Sequence, residues 1–183
     1  MSDGVQEVVF IEAARSDPQA FDTLYQRYVH RIYRYALARL HHAEEAADAT
    51  QQTFLRAWQS LDHYRVGSSF AAWLFGIARH VISTMQSHQS ATVSWDEVPE
   101  DAHPWSHTGN PEALVLFHES QTSIQQLLSR LDPHKQELLA LYRDDALTIP
   151  EIAGILGKTP EAVRKQITRT LKILREQYHA ANR

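Results

Sequence analysis

A row of cationic side chains near the carboxyl end has the residue types and spacing to bind a polyanion. The row lies between residues 164 and 175 and consists of five cations with one threonine among them, namely Arg164, Lys165, Thr168, Arg169, Lys172 and Arg175. At about 100° per residue these side chains share one arc of a helix. The opposite side is apolar and consists of Val163, Ile167, Leu171 and Leu174. Such a helix can bury one side and offer cations to phosphates and base edges, although a merely solvated basic face has the same pattern.

The residues before this row predict the element that would position it. Thr148 can cap a short helix, with Pro150 in its first turn and Glu151 three residues after the cap. Gly157 can end that helix in the left-handed conformation. Thr159 can then cap the basic helix, since Pro160 suits its first position. The sequence therefore predicts a helix-turn-helix whose second helix enters the major groove of DNA.

The sequence lacks the residue patterns that are typical of metal binding and catalysis. The chain has eleven histidines, but His103 and His107 have no carboxylate partners in a ligand pattern, and no H-E-x-x-H signature occurs. No activated nucleophile, phosphate loop or paired-acid arrangement stands out. We therefore expect no metal, no cofactor and no enzymatic activity.

Composition predicts a folded cytoplasmic protein. The 183 residues are 43% apolar and include no cysteine, which excludes disulfides and thiolate metal sites. No apolar run approaches the roughly 20 residues of a membrane span, and the first residues lack a basic-then-apolar leader. We expect no membrane insertion. Although the net charge is −4, residues 159–183 hold six basic and two acidic side chains, whereas residues 91–126 hold six acidic and none basic.

Helical periodicity accounts for most of the chain. One helix is predicted from Asp17-Pro18 to about Leu40, a second from about Ala43 to Leu61 with Phe54, Leu55, Trp58 and Leu61 on its apolar side, and a third from about Ser69 to Met85. The core stripe of the third helix is predicted to be Phe70, Trp73, Leu74, Ile77, Ala78, Val81 and Ile82. These helices can form one bundle.

The periodicity stops between Ser87 and about Pro111, where the chain is acidic and rich in proline. We predict a linker there, with Trp95 and Trp105 as apolar anchors. A helix resumes after Asn110-Pro111 and continues toward Leu131, and another starts at Asp132-Pro133. The predicted fold is all-α, with an N-terminal domain of three to four helices (1–90), a linker (91–112) and a C-terminal helix-turn-helix domain of four helices (113–183).

Three segments together give the chain a resemblance to a known family. They are F-D-T-L-Y-Q-R-Y; D-A-T-Q-Q-T-F-L-R-A-W followed by S-S-F-A-A-W-L-F-G-I-A-R-H; and L-S-R-L-D-P-H-K-Q-E-L-L followed by I-P-E-I-A-G-I-L-G-K-T-P-E-A-V-R-K-Q-I-T-R. In this order they resemble the extracytoplasmic-function (ECF) type of bacterial sigma factor of the sigma-70 family. The resemblance covers nearly the whole chain. It implies a protein that binds core RNA polymerase and directs it to promoter DNA.

The resemblance also implies roles for particular residues. The polymerase-binding positions match Asp48, Gln51, Gln52 and Arg56, where Gln52 replaces the usual glutamate of the family. The −10 positions match Tyr64, Arg65, Ser68, Ser69, Arg79 and His80, with Tyr64 stacking on a flipped base and the serines bonding phosphate or base edges. The −35 positions match Arg164, Lys165, Thr168, Arg169 and Lys172. The family further implies an anti-sigma factor as a partner.

Three alternatives remain open at this point. A helix-turn-helix regulator that never engages polymerase would explain the C-terminus but not the segment from Asp48 to Trp58. An enzyme or metal-binding protein lacks a signature. A sigma-like protein with impaired core binding, owing to Gln52, would need a modification or an adaptor.

Overall fold

The computed structural model describes residues 3–65, 67–92, 127–128 and 130–181. Its elements are α1 (Asp3–Ala14), α2 (Pro18–Leu40), α3 (Ala43–Ser60), a 3-10 turn (Leu61–His63), α4 (Phe70–Thr92), α5 (Pro133–Tyr142), α6 (Ile149–Leu156) and α7 (Pro160–Ala181). We call α1–α4 the N-terminal half and α5–α7 the C-terminal half. The predicted all-α class is confirmed. None of the helices in the described ranges has the length and apolar character needed to cross a membrane.

Helix α2 begins and ends where its sequence predicts. The Asp17 carboxylate accepts a hydrogen bond from the Gln19 backbone N–H at 2.9 Å, and Pro18 occupies the first turn. His41 ends the helix in the left-handed conformation, with φ of 59°. Its backbone N–H donates to the Leu37 carbonyl, which satisfies one of the free carbonyls at the helix end.

Helix α1 was not predicted from the sequence. It packs against α2 and buries Ile11 and Ala14 in the core. The run Val8–Ile11 is continuously apolar, so it lacks the alternation of apolar and polar residues that marks an amphipathic helix. Just after the helix, the Arg15 guanidinium donates to the Tyr64 carbonyl oxygen at 2.8 Å and ties α1 to the turn before α4.

The core of the N-terminal half lies where α2, α3 and α4 meet. Phe70 is buried as predicted, and Phe75, which the predicted stripe omitted, is fully buried. The Phe75 ring packs edge-to-face on Tyr35 with centroids 5.4 Å apart. Trp73 and Ile77, predicted as core, are only half-buried. The buried arc of α4 is rotated toward Phe75 because α2 covers that side of the helix.

Only part of the predicted apolar side of α3 is buried. Phe54 and Leu61 are buried, but Leu55 is 57% exposed and Trp58 is 36% exposed. The buried arc is instead centred on small residues, namely Ala46, Ala49, Thr50, Thr53 and Ala57. Small side chains let helices approach closely, so α2 packs on this side and leaves Leu55 in solvent.

The helix-turn-helix forms as predicted. Thr148 and Glu151 make a reciprocal capping box at the start of α6, and Gly157 ends the helix with φ of 65°. The Asp132 carboxylate caps α5 by accepting from the His134 N–H at 2.8 Å. The Thr159 hydroxyl accepts from the Ala162 N–H at 3.2 Å and caps α7.

One side chain that was predicted on the buried side of α7 is exposed. Val163 and Ile167 are buried, but Leu171 is 43% exposed. Thr170 takes its place and is fully buried, with its hydroxyl donating to the Gln166 carbonyl at 2.8 Å. The hydroxyl can be buried there because this bond satisfies it within the helix.

The predicted linker cannot be compared with the structure over most of its length. Helix α4 runs to Thr92, beyond its predicted end near Met85 and two residues into the predicted linker. The rest of the linker, with Trp95, Trp105, His103 and His107, lies outside the described residues, as does most of the helix predicted from Asn110-Pro111. The domain boundaries therefore stay a prediction.

The two halves are in contact. Helix α2 packs against α5, and α4 packs against α6. The buried apolar residues form one cluster that includes Phe75 of the N-terminal half and Leu138 and Ile152 of the C-terminal half. Ion pairs cross the same contact zone, which we call the seam.

Candidate nucleic-acid interface

Four cations of α7 and one threonine form an exposed surface, the α7 basic face, consisting of Arg164, Lys165, Thr168, Arg169 and Lys172. Two of them pair within the helix, Arg164 with Glu161 at 4.0 Å and Lys172 with Glu176 at 3.9 Å. Exposed pairs of this kind contribute little to stability and exchange readily for phosphates. The remaining cations, Lys165 and Arg169, make no ion pair within the described ranges.

Contacts of the turn and of the buried side of α7 fix the orientation of the α7 basic face. The Lys158 ammonium donates to the Gln166 side-chain carbonyl at 2.9 Å and braces the turn against α7. Val163 and Ile167 bury the opposite side of α7. The amino-terminal end of a helix also carries partial positive charge, so it adds to the attraction for phosphate. The structure thus brings all five predicted −35 residues to one solvent-facing side, while their contacts with DNA stay a prediction.

A second exposed surface lies on α3. Asp48, Gln51 and Gln52 are exposed on one side of the helix, as predicted. Leu55 follows Gln51 and Gln52 by one turn and lies on the same side, with Trp58 at its edge. We call these five residues the α3 face. An exposed leucine and tryptophan ringed by polar groups are typical of a protein interface. Helical periodicity had predicted both side chains on the apolar side of α3, so the sequence alone did not mark them as exposed.

Arg56 does not belong to the α3 face. It is half-buried and lines an open cleft of about 780 Å³ between α3, α4 and α6. Trp73, Ile77 and Ile155 give this cleft apolar walls, and His80 lies at its side. In this conformation Arg56 therefore lies apart from Asp48 and Gln51, and its contact with polymerase stays a prediction.

The environment of Tyr64 differs from the one expected of a residue that stacks on a flipped base. Its side chain is 4% exposed and packs on Phe70 and Trp73, with ring centroids 5.5 Å and 5.2 Å apart. The hydroxyl donates to the Ser68 carbonyl oxygen, and burial raises the pKa of Tyr64. A ring held on both sides has no free surface for a base. Tyr64 instead anchors the turn that leads into α4.

The other −10 candidates lie along this turn and α4. Arg65 and Ser68 are exposed, and the Ser68 hydroxyl donates to the Arg65 carbonyl at 2.8 Å. Ser69 accepts from the Ala72 N–H at 3.2 Å and thereby caps α4. Arg79 and His80 lie about 15 Å farther along the helix. The candidates therefore form a strip and not a compact pocket.

One of these candidates is engaged by the C-terminal half. The Arg79 guanidinium donates to the Glu137 carboxylate at 3.0 Å, so its Nε is not free to bind a phosphate in this conformation. Ser69 lies near Glu151 and lowers the pKa of that carboxyl.

The seam holds a stronger ion pair beside these contacts. Arg31 donates to both carboxylate oxygens of Asp144, with N–O distances of 2.8 Å and 2.5 Å. Its guanidinium also lies over the Tyr28 ring, 4.6 Å from the centroid. Burial alone would lower the pKa of Arg31, but the hydrogen bonds and charge of Asp144 outweigh it and raise the pKa.

Glu137 occupies the centre of a polar cluster in the seam. Its carboxylate is buried and accepts from Arg79 and, at 3.4 Å, from the Tyr35 hydroxyl, with the Arg39 guanidinium 4.0 Å away. Burial first, and then the charge of Glu137, raise the pKa of Tyr35. Tyr35 therefore stays a neutral donor.

The described residues thus form an all-helical protein that exposes a row of cations on a capped helix-turn-helix and, on α3, a face with an apolar centre. The sequence profile of Sigma-70 region 2 matches residues 24–92, and that of Sigma-70 region 4 matches residues 121–174, so together they match more than half of the chain. The chain belongs to the sigma-70 family as an ECF RNA polymerase sigma factor.

Individual relatives agree with this assignment. The RNA polymerase sigma-H factor of Pseudomonas aeruginosa is 30% identical over 165 residues, which cover 85% of this chain and 84% of that protein. The ECF RNA polymerase sigma factor BldN of Streptomyces coelicolor is 30% identical over 177 residues, covering 94% of this chain and 66% of that protein. The ECF RNA polymerase sigma-E factor of Escherichia coli is 27% identical, with 92% of each chain covered.

Solved structures share the fold. CnrH, solved in complex with the cytosolic domain of CnrY, has a TM-score of 0.69 and 22% identity, covering 94% of this chain and 97% of that chain. The sigma factor RpoE of Bartonella quintana, solved with the anti-sigma factor NepR, has a TM-score of 0.66 and 21% identity over 85% and 94% of the two chains. At these identities the likeness concerns the fold.

The environment of Glu151 generates a pH prediction. Burial would raise the pKa of Glu151, but hydrogen bonds from Ser69 and Thr148 and the charge of Arg31 outweigh it, so the pKa lies below its ordinary value of 4.5. A lowered carboxyl pKa stabilises the fold above the ordinary value, and this contribution disappears as the pH falls through the folded-state pKa.

We expect Glu151→Gln to remove that part of the acid sensitivity. The variant should melt below the wild type near neutral pH, and the difference should shrink as the pH falls below the ordinary carboxyl value of 4.5. Thermal melting followed by circular dichroism at several pH values measures it. Glu161→Gln, an exposed carboxylate on α7, is the control and should run parallel to the wild type. A difference for Glu151→Gln that is independent of pH would contradict the prediction.

Proposed function

We propose that this sigma factor attaches to core RNA polymerase through the α3 face and reads the −35 element with the α7 basic face. The observation that carries the proposal is the coexistence of two unlike exposed surfaces on one chain. One is an apolar centre within a polar ring, and the other is a row of cations on a capped helix. A DNA-binding regulator that never engages polymerase has no use for the first.

The chemistry of each surface fits its proposed ligand. Asp48 and Gln51 can bond a basic helix side by side, while Leu55 supplies the apolar contact that the centre of a protein interface requires. On α7, arginines can pair bidentately with guanine edges, and lysines more often hold phosphates. RNA synthesis itself stays with the core enzyme in the cytoplasm, and this chain supplies promoter choice without a cofactor.

The partners proposed from the family include an anti-sigma factor. The cleft beside α4 supports this part of the proposal, because Trp73, Ile77 and Ile155 leave apolar surface open to solvent there. An amphipathic segment of a partner could cover these side chains.

Run-off transcription tests the proposal as a whole. Purified core polymerase is mixed with this chain and a library of genomic fragments, and the transcripts are sequenced. We expect a small set of start sites that share an upstream element, which core polymerase alone does not use. If core polymerase gains no start sites in the presence of the chain, the proposed function is wrong.

The α7 basic face generates a prediction about salt dependence. Arg169→Gln should lower the slope of log affinity against log salt by about one unit if Arg169 holds a phosphate, equally for all DNA sequences. If it reads a base, discrimination at one position should fall instead, by about 1–3 kcal/mol.

Fluorescence anisotropy of holoenzyme on a promoter fragment, at several salt concentrations, distinguishes these outcomes. Lys135→Gln removes the same charge from α5, outside the α7 basic face, and should leave the slope unchanged. A variant at Arg169 that changes neither slope nor discrimination would exclude it from the interface.

The α3 face generates a second prediction. Leu55→Asp should weaken binding to core polymerase by at least about 30-fold, since it places a charge at the apolar centre of the interface. Surface plasmon resonance with immobilised core enzyme measures the affinity.

Val9→Asp is the matched control, because Val9 of α1 is 61% exposed and lies outside the α3 face. It should bind core polymerase like the wild type. Equal affinities for both variants would remove Leu55 from the interface.

A further inference from the structure

The segment around Arg15 contacts the turn that leads into α4. We call this turn the α4 turn, and its residues are Tyr64, Arg65, Gly67, Ser68 and Ser69. Four of them are candidates for contact with the −10 strand. The match to Sigma-70 region 2 begins at residue 24, so α1 and Arg15 precede it. The contact thus joins a segment outside the matched range to residues that are expected to meet DNA.

Side-chain donors hold the α4 turn at two of its carbonyl oxygens. The Arg15 guanidinium donates to the Tyr64 carbonyl at 2.8 Å, and the Tyr64 hydroxyl donates to the Ser68 carbonyl. A hydrogen bond from a charged donor is stronger than one between neutral groups. Both bonds are made to the backbone, so they leave the side chains of Arg65 and Ser68 exposed.

Arg15 is itself held by a well-anchored helix. Ile11 is buried where α1 packs on α2. The Tyr28 hydroxyl donates to the Glu7 carboxylate of α1, and the Tyr28 ring packs edge-to-face on Phe70 with centroids 5.3 Å apart. Because Phe70 begins α4, the same core supports the donor Arg15 and the helix that follows the turn.

The α4 turn has few bonds of its own. Within it the Arg65 carbonyl accepts from the Ser68 backbone N–H at 3.2 Å and from the Ser68 hydroxyl at 2.8 Å. Gly67 has φ of 96°, a conformation that favours glycine, and glycine loses more conformational freedom on folding than any other residue. Order in the turn therefore depends on support from outside it.

We propose that Arg15 is a positioning residue for −10 recognition, which holds the α4 turn through the Tyr64 carbonyl and thereby orients Arg65 and Ser68 toward the unpaired strand. The inference rests on the proposed function, because it assigns this turn to promoter DNA. Bases are distinguished only when donors and acceptors are held in hydrogen-bond geometry. A looser turn keeps its attraction for phosphates but loses selectivity among bases.

The first measurement is the order of the α4 turn in the full chain. Trypsin cleaves after arginine, and cleavage after Arg65 requires local opening of the backbone. Arg15→Met keeps the apolar stem and removes the donor. Cleavage after Arg65 should rise about tenfold, the lower end for loss of a hydrogen bond to a charged group. Cleavage after Arg34 of α2 is the internal standard, because general destabilisation would accelerate both.

The second measurement is selectivity in transcription. Holoenzyme is offered a pool of templates made from a promoter found by run-off transcription, in which only the −10 element is varied. Arg15→Met should lower the preference for the original −10 sequence by about fivefold or more, as expected for loss of one base contact. Binding of holoenzyme to a duplex that carries only the −35 element should not change. A general loss of folded protein would instead reduce both activities together.

Two further variants identify the cause of the effect. Arg15→Lys retains a charged donor and should recover most of the −10 preference and of the resistance to trypsin. Arg34→Met removes the same charge from an exposed position of α2 and should transcribe like the wild type. If lysine at position 15 recovers neither quantity, the hydrogen bond is not the cause and the inference is wrong.

The outcomes separate this inference from the proposed function. Unchanged cleavage after Arg65 in Arg15→Met, or faster cleavage with an unchanged −10 preference, overturns the role of Arg15 while the wild type still directs transcription. A wild-type chain that directs no start site overturns the proposed function, and the inference with it.

Discussion

The ion pair between Arg31 and Asp144 lies where the two halves of the molecule meet, and each group would be buried without a charged partner if the other were absent. Removing one member of such a pair is far more destabilising than replacing both, because it leaves a desolvated charge. The pair thus links the positions of α2 and α5 without adding much net stability. The contact between the two halves depends on charge complementarity, and the apolar cluster that continues through the seam adds to it.

Basic side chains in the seam and on α7 have different environments. Three cations of the N-terminal half, Arg31, Arg39 and Arg79, are partnered in the seam, whereas those of α7 face solvent. A net charge of −4 would ordinarily weaken attraction to DNA. Local segregation reverses this at α7, where few acidic residues oppose the cations. The placement of charges, more than their sum, therefore decides which surface binds a polyanion.

The sequence was sufficient where local chemistry decides the structure. The caps Asp17, Asp132 and Thr148 and the stop at Gly157 follow from hydrogen bonding and backbone geometry within a few residues, and the structure has all of them. It was insufficient where a distant element decides. Burial of Tyr64 depends on Phe70 and Trp73, and exposure of Leu55 depends on α2 packing on the alanine side of α3.

The same distinction explains why the seam could not be predicted. Glu137 lies on α5 and Asp144 in the turn after it, and the partners that they meet in the seam are 58 and 113 residues away in sequence. Burying a carboxylate is unfavourable unless its hydrogen bonds are satisfied. Burial of these two carboxylates is therefore favourable only when the C-terminal half packs against a second surface that supplies the donors. In this structure the second surface is the strip of the N-terminal half that holds Arg31 and Arg79.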